Sequence, residues 1–281
     1  MAIDPDWKTT PKRAIIDGDT TVYAYAFAAQ EKKPDGEIVT EPLHHCLGAV
    51  KASVKRLLEK FSAENNYSIH LTKGGSYRAE LATIKPYKGN RAHLEKPVYY
   101  HEVREYLVNR WGAQIHEDVE ADDVVAIEYN QDPANSILIS EDKDLNQQGG
   151  FHFNPKKGFK LVNKQEAIWN LWHQVITGDR VDNIVGIPGV GEKKATKELL
   201  SKSLGAIREG ELPSHRVGYD MALQIYTESL SKGSVAEKLK REDGTIPSPM
   251  EALHEHLSLV YLLRTPEEME NPKEAWRKLI N

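Results

Sequence analysis

The sequence has little cysteine: Cys46 stands alone in 281 residues. One thiol excludes an internal disulfide and leaves a thiolate zinc site short of ligands, which fits a reducing cytoplasm. No run of about 18 apolar residues is present, so no segment reads as a membrane-spanning helix. Met1 to Lys12 is polar, carries two prolines and lacks the apolar centre of a signal peptide. An excess of positive charge is missing too, since 37 Lys and Arg face 42 Asp and Glu, a net charge of −5. A chain that held nucleic acid by bulk charge alone would be basic. If this one binds DNA, its acids must be concentrated at a site and its lysines placed elsewhere. There is no fixed-period repeat and no low-complexity tract. What is there is 40% hydrophobic and 28% charged, enough for a buried core in one large domain or two smaller ones.

The first part of the chain alternates strands with helices. Arg13–Asp17 is an apolar run that stops at Asp17-Gly18 and reads as a buried strand. A helix is expected over 20–30, a polar loop over 32–42 and a long helix over 43–61, where apolar residues recur at helical spacing. Residues 68–71 form the next expected strand. Residues 73–97 are rich in Lys, Arg, Gly and Tyr and are expected to protrude or move. Helices over 98–110 and 120–130 flank the link to a buried strand over 135–140, and 151–162 reads as a hairpin around Lys156-Lys157-Gly158. The expected fold is therefore α/β, a largely parallel sheet between helices over residues 1–164, followed by a helical domain over 165–281.

Four acidic groups stand out by position. Asp17 follows the first strand, Glu120-Ala121-Asp122-Asp123 opens a helix, Asp142-Lys143-Asp144 follows the strand ending at Ser140, and Asp179-Arg180-Val181-Asp182 opens the helical part. In open α/β sheets, sites form beyond the carboxyl ends of strands, where Asp17, Asp142 and Asp144 fall. Asp179 and Asp182 are three apart and share a face if helical. Glu120 and Asp122 converge if Glu120 precedes the first turn. Gathered carboxylates repel one another and call for a cation, and an all-oxygen set favours Mg²⁺ or Mn²⁺ over zinc. Two such ions about 4 Å apart can activate water against a phosphodiester. Each group alone also reads as a helix cap, a turn or a solvated loop. Their joint placement favours the site.

Gly186-Ile187-Pro188-Gly189-Val190-Gly191 runs into Glu192-Lys193-Lys194-Ala195-Thr196-Lys197. Glycines let backbone N–H groups approach a phosphate, and Lys193, Lys194 and Lys197 add charge for contacts that ignore base sequence. The same residues also read as a plain turn between helices. The ending of a nucleotide-binding P-loop is absent. Arg78, Lys85, Lys88, Arg91 and Lys96 interleave with Tyr77 and Tyr87, a pattern for gripping a backbone and stacking a base, or for a solvated loop. His44-His45 and the pair His254 and His256 lack accompanying ligands and read as surface histidines, and Cys46 as a small buried residue.

Taken in order, Ile-Asp-Gly at 16–18, Tyr-Lys-Gly-Asn-Arg at 87–91, Glu-Ala-Asp-Asp at 120–123, Ser-x-Asp-x-Asp at 140–144, Gly-Asp-x-x-Asp-Asn-Ile at 178–184 and Gly-Ile-Pro-Gly-Val-Gly at 186–191 resemble the 5′ nuclease family. That family takes in flap endonucleases, the 5′ nuclease domains of bacterial DNA polymerases and phage exonucleases, and this chain is most similar to the exonucleases of T7-like phages. The resemblance runs over about residues 13–205 and leaves the last 75 or so with little to say. It implies an α/β nuclease core with a helical arch near 73–97 and a helix–two-turn–helix DNA-binding domain. It implies Mg²⁺ or Mn²⁺ ligands at Asp17, Glu120, Asp122, Asp142, Asp144, Asp179 and Asp182, with Asp19 and Asp123 supporting from behind. Lys88 and Arg91 would contact the scissile phosphate, Tyr87 would stack on a terminal base, and Gly186, Gly189 and Gly191 would form a hairpin that also holds K⁺. The implied substrate is duplex DNA with 5′ ends or flaps, with RNA in RNA–DNA hybrids as an extension, and the implied setting is the host cytoplasm of a phage. The sequence departs from the pattern where the family usually has an aspartate after the second strand of its core. Here Leu71-Thr72-Lys73-Gly74-Gly75 supplies none, so the site works one carboxylate short or draws on Asp19 or Glu80. Two rivals remain: a DNA-structure-binding protein without catalysis, and a ribonuclease with a related acidic core, against which the glycine hairpin argues.

Overall fold

The computed structural model describes residues 13–91, 93–203 and 207–280, so the reading of Met1 to Lys12 lies outside the described residues. The chain forms two compact units. The first comprises residues 1–75, 95–143 and 150–161, and the second 76–94, 144–149 and 162–281.

The first unit is built on a six-stranded sheet. In chain order its elements are β1 (Arg13–Asp17), α1 (Gly18–Ala28), β2 (Gln30–Lys32), β3 (Ile38–Thr40), α2 (Leu43–Lys60) and β4 (Tyr67–Gly74). After α3 (Tyr77–Leu81), which belongs to the second unit, come α4 (Tyr100–Trp111), β5 (Gln114–Glu117), α5 (Ala121–Gln131), β6 (Ser136–Ile139), β7 (Gly150–Asn154) and β8 (Gly158–Val162). The sheet order is β5-β4-β1-β6-β7-β8. Parallel pairing links β1 to β4 and to β6, β4 to β5, and β6 to β7. β1 and β6 are central and buried throughout except at Arg13, as expected of apolar runs covered on both faces. Ile16, Ile69, Val54, Leu107 and Ile139 lie in one core cluster. Parallel strands place their carboxyl ends along one edge, and that edge carries Asp17, Thr72 and Ser140.

The polar loop expected over 32–42 is instead the antiparallel hairpin β2–β3. Its turn closes on Asp35, whose side chain accepts from the Glu37 N–H, and on Gly36 at φ +90°. The mostly exposed strands made the segment look unstructured. β5 was hidden for the same reason, since Gln114, Ile115 and Glu117 are exposed on an edge strand.

The second unit is helical. Besides α3 it contains α6 (Lys164–Thr177), α7 (Glu192–Lys202), α8 (His215–Leu230), the short α9 (Gly233–Ala236) and α10 (Pro249–Val260). Trp172 of α6 and Tyr226 of α8 are fully buried, and α10 opens on a complete capping box between Ser248 and Glu251. Residues 73–97 do not stand free. Tyr77 and Arg78 are buried, and Arg78 donates from Nε to the Leu259 carbonyl at 2.9 Å and from Nη2 to the Tyr261 carbonyl at 2.6 Å. Glu255 accepts from the N–H groups of Thr83 and Ile84 at 2.8 and 2.7 Å. Arg78 is thus a clamp on the end of α10, which corrects its expected place on DNA. The final residues have a use that the motifs did not reveal, since they fasten this segment. Among the described residues no helix is long and apolar enough to cross a membrane.

Candidate active site

The carboxylates of the first unit are positioned by strand ends. Asp17 closes β1 and is 1% exposed. Its Oδ1 accepts from the Thr20 N–H at 3.2 Å, capping α1, and its Oδ2 accepts from the Ser140 hydroxyl at 2.7 Å. Ser140 in turn accepts from the Asp142 N–H at 2.9 Å. One hydroxyl therefore ties the end of β1 to the loop after β6. Burial, and then the charges of Asp19 and Asp142, push the Asp17 carboxyl up to about 7 against the pull of the Ser140 hydrogen bond. Ser140 sits two residues before Asp142, and that spacing was the available signal of its role.

Thr72 lies near the end of β4, in the stretch where Lys73 stands in place of the expected acid. Its N–H donates to Asp19 Oδ2 at 3.1 Å, its carbonyl accepts from Arg104 at 2.6 Å, and its Oγ1 accepts from the Ala121 N–H at 2.9 Å. Arg104 also donates to Asp19 Oδ1 at 2.9 Å. Thr72 is a joint: it caps the first turn of α5 and fixes Asp19. Glu120 is the N-cap residue of α5 with extended backbone, ahead of the first turn, as its convergence with Asp122 requires. Asp122 is half-buried and Asp123 fully buried. Lys73 pairs with Glu117 at 2.8 Å, both side chains well exposed. Glu80 pairs with Lys273 at 3.0 Å in the second unit. Arg104 escaped the sequence reading because nothing in a helical pattern marks one arginine as a carboxylate holder.

In the second unit Asp144 opens a 3₁₀ turn over Asp144–Gln147. Asp179 and Asp182 do not share a helix face. They lie in a turn in which Asp179 Oδ1 accepts from the N–H groups of Val181 and Asp182 at 2.7 and 3.3 Å, and Asp179 bridges to Ile184 through N–H···O contacts of 2.9 and 2.7 Å. A three-residue spacing serves an Asp-headed turn as well as a helix. Asp182 gathers the residues expected to touch DNA: Tyr87 Oη at 2.8 Å, Arg91 Nη2 at 2.7 Å and Lys88 Nζ at 3.9 Å. The Lys88 N–H donates to the Asp182 carbonyl, which holds Lys88 at φ +55°, a left-handed conformation uncommon outside glycine. Lys85 is exposed.

The glycine segment follows α6. Gly178 at φ +70° and Gly186 at φ +61° face each other so closely that a Cβ on Gly186 would lie 2.3 Å from the Gly178 nitrogen. Gly189, at φ +80°, meets nothing within 4 Å. Gly191 is the N-cap of α7 and offers no side-chain acceptor to the first N–H groups. Lys193, Lys194 and Lys197 are exposed on α7. The surface reading of the histidines holds for His44 and His45 but not for His256, which is buried and bonds the Tyr226 hydroxyl at 2.7 Å, nor for His254, half-buried against Tyr219. Cys46 is buried.

Among the described residues no three His, Cys, Asp or Glu side chains form a ready metal cluster. The donor chemistry of the first unit nevertheless fits a hard cation. Asp17, Asp122 and Asp142 offer oxygen only, and the buried Asp17 lies in the field of two further acids.

No family model matches the chain. An exodeoxyribonuclease of Enterobacteria phage T3 is 30% identical over 196 residues, 63% of this chain and 63% of that protein. An exonuclease of Escherichia phage T7 is 28% identical over 194 residues, 63% of each. The match thus spans less than two thirds of either phage protein. A 5′-3′ exonuclease of Halalkalibacterium halodurans is 23% identical, covering 92% of this chain and 91% of the other. Among solved structures, T5 5′-exonuclease with bound zinc aligns over 96% of this chain and 99% of its own, with TM-score 0.58 and 18% identity. The catalytic core of Rad2 in complex with DNA aligns over 98% and 82%, with TM-score 0.50 and 14% identity. With its six motifs in order and its sheet fold matched, the chain is similar in sequence to 5′-3′ exonucleases of phages and bacteria and shares the fold of T5 5′-exonuclease.

Proposed function

We propose that the chain is a divalent-metal-dependent 5′ nuclease that cuts duplex DNA at 5′ ends or flaps and accepts RNA–DNA hybrids as a further substrate. The observation that supports this reading most is the Asp17–Ser140–Asp142 linkage, which sets a buried, charge-strained carboxyl at the ends of parallel strands. Asp17, Glu120, Asp122 and Asp142 are the ligands proposed there for Mg²⁺ or Mn²⁺, and the family resemblance adds Asp144, Asp179 and Asp182 and a total of two ions. When bound, such ions supply Lewis-acid stabilisation of charge on an attacking water and on the leaving 3′ oxygen, giving a 5′-phosphate and a 3′-hydroxyl.

The protein's own groups do the rest. Arg104 and Thr72 hold Asp19 beside Asp17. Lys88 and Arg91, aligned on Asp182, can exchange that carboxylate for a phosphate, and Tyr87 can stack on an unpaired base. The N–H groups opening α7, with Lys193, Lys194 and Lys197, hold a backbone phosphate without reading sequence, and K⁺ at the glycine hairpin would add to that contact.

The test is product analysis on 5′-labelled blunt and flapped duplexes, with Mg²⁺ or with EDTA. Short 5′ products that appear only with the metal are expected. Cleavage that ignores EDTA, or binding without cleavage in Mg²⁺ and Mn²⁺ alike, overturns the reading.

A further inference from the structure

A cavity of about 370 Å³ in the helical unit is lined by Gln147, Gly149, Lys164, Ala167, Ile168, His215, Arg264, Lys278 and Leu279. Its charged lining is of one sign. Lys164, Arg264 and Lys278 border it and no carboxylate does, although Glu268 and Glu267 act from farther off on Arg264 and Lys278. Arg264 is the most enclosed of the three, while Lys164 and Lys278 are exposed at the rim and can turn toward a ligand.

The hydrogen bonds make the character of the cavity more specific. Arg264 Nη1 donates to His215 Nε2 at 3.1 Å, so the imidazole proton sits on Nδ1. That Nδ1 is buried and has no acceptor. Arg264 Nη2 donates weakly to the Gln147 carbonyl at 3.3 Å, while its Nε–H is buried without any acceptor. Glu268, the carboxylate that bears on Arg264, uses its Oε2 to accept from the Arg264 backbone N–H and the Tyr261 hydroxyl. Two buried donors without acceptors on cavity-lining residues are costly, of order 1–3 kcal/mol each. Burial, and then the charges of Arg264 and Lys164, push the His215 imidazole down to about 3, so the ring is neutral and its single proton is available to an acceptor. Lys164 and His215 are also the first residues of α6 and α8, where partial positive charge is strongest.

We propose that this cavity is a binding site for a phosphate group, carried by a nucleotide whose sugar and base rest on Ala167, Ile168 and Leu279. A phosphate has the acceptor oxygens that the Arg264 Nε–H and the His215 Nδ1–H lack, and Lys164 and Lys278 neutralise its charge. The cavity is at the small end of ligand sites, about 300–1,000 Å³, too large for the anion alone and adequate for a mononucleotide. The Gln147 Oε1, a buried acceptor without a donor, can take the hydroxyl of a singly protonated phosphate. The inference does not depend on the proposed cleavage activity, and nothing in the nuclease reading uses these residues. The phosphate source is either a free nucleotide or the backbone of a nucleic acid.

The test uses the full chain in EDTA, so that cleavage plays no part. Calorimetry and thermal shift are run with inorganic phosphate, a deoxynucleoside 5′-monophosphate, the corresponding unphosphorylated deoxynucleoside, and a short blunt duplex. Lys164 and Lys278 are exposed, so Lys164→Glu with Lys278→Glu preserves the fold where Arg264→Gln can fail to. Saturable binding of the monophosphate is expected, at least about tenfold tighter than the nucleoside and weakened about tenfold or more in the double variant. The His215 ring signals should move with the monophosphate and not with the nucleoside. If the double variant loses monophosphate but keeps duplex affinity, the source is a free nucleotide. If both fall together, it is a nucleic-acid backbone. No saturable binding of phosphate or monophosphate by the wild type, or equal binding by the double variant, overturns the proposal.

Discussion

The two units solve the same electrostatic problem with opposite sign. In the α/β unit an acid is buried beside other acids, and Asp17 is lifted to about 7. In the helical unit histidines are held neutral: the buried His256 and the half-buried His215 are each pushed down to about 3, the first by burial and the second by burial with Arg264 and Lys164. Uncompensated buried charge is costly in either case. On the readings proposed above, the first unit would lower that cost by binding cations and the cavity beside His215 by binding an anion. The pair teaches that an overall charge near −5 says little about what each half will bind.

The largest effect should follow from removing an acid of the first unit. Asp142→Asn is expected to lower cleavage of a 5′-flap substrate at least about a hundredfold, since metal positioning contributes several kcal/mol to the transition state. Duplex affinity in EDTA should stay within about threefold. Near-wild-type turnover would remove Asp142 from the site and blur the contrast between the units.

Next is a backbone test inside the helical unit. Gly186→Ala places a Cβ 2.3 Å from the Gly178 nitrogen at φ +61°, whereas Gly189→Ala enters open space at φ +80°. The second change should cost about 1–2 kcal/mol, the penalty of a left-handed residue. The first adds a collision with backbone and should cost more than about 3 kcal/mol. Chemical denaturation separates them, and equal losses would mean that the two-glycine contact does not constrain the turn.

Stability against pH tests the contrast directly. The folded Asp17 carboxyl titrates at about 7 against an ordinary value of 3.8, so its contribution is full below 3.8 and is lost as pH rises through about 7. His256 is depressed from 6.5 to about 3, so its contribution is present above pH 6.5 and is lost as pH falls toward 3. The Tyr226 hydroxyl donates to the Val175 carbonyl and takes the His256 Nδ1–H, leaving Nε2 buried with no partner for a second proton. In EDTA, segment-resolved hydrogen exchange should therefore show the α/β unit loosening as pH rises from about 4 to about 7, and the helical unit as pH falls from about 6.5 to about 4. Asp17→Asn should flatten the first limb alone, and His256→Gln should shrink the second without touching the first, the remainder of the second belonging to His215. A single limb shared by both units would refute the opposition.

The smallest effect concerns the exposed lysines of α7. Replacing Lys193 and Lys194 by Ala should weaken duplex binding regardless of sequence and reduce the slope of log affinity against log salt by about 1.8, roughly 0.9 for each phosphate no longer neutralised. An unchanged slope would make the hairpin a structural turn only.

Much of the first unit was legible because β1 and β6 are apolar runs whose burial on both faces leaves few alternatives, and because an acid-rich helix start placed Glu120 correctly. The second unit was less so. Arg78 carries the same charge whether it grips DNA or is buried, and the carbonyls that bury it lie 181 and 183 residues away. The spacing of Asp179 and Asp182 suited both a helix and a turn. The role of Thr72 is not visible in the stretch Leu71–Gly75, which reads only as lacking an acid, because its three hydrogen bonds run to Asp19, Arg104 and Ala121 on three different segments.

The helical unit is assembled from three separate stretches, residues 76–94, 144–149 and 162–281. No single cut in the gene can release it. A fragment beginning at residue 163 would leave the Leu259 and Tyr261 carbonyls without the Arg78 guanidinium and α6 without the Gln147 side chain that bonds Gln174. The inherited unit is therefore the whole interleaved chain. Recombination that swaps helical units between relatives would have to exchange all three stretches at once, and a loop graft at 76–94 would alter the stability of a helix encoded more than 150 residues downstream.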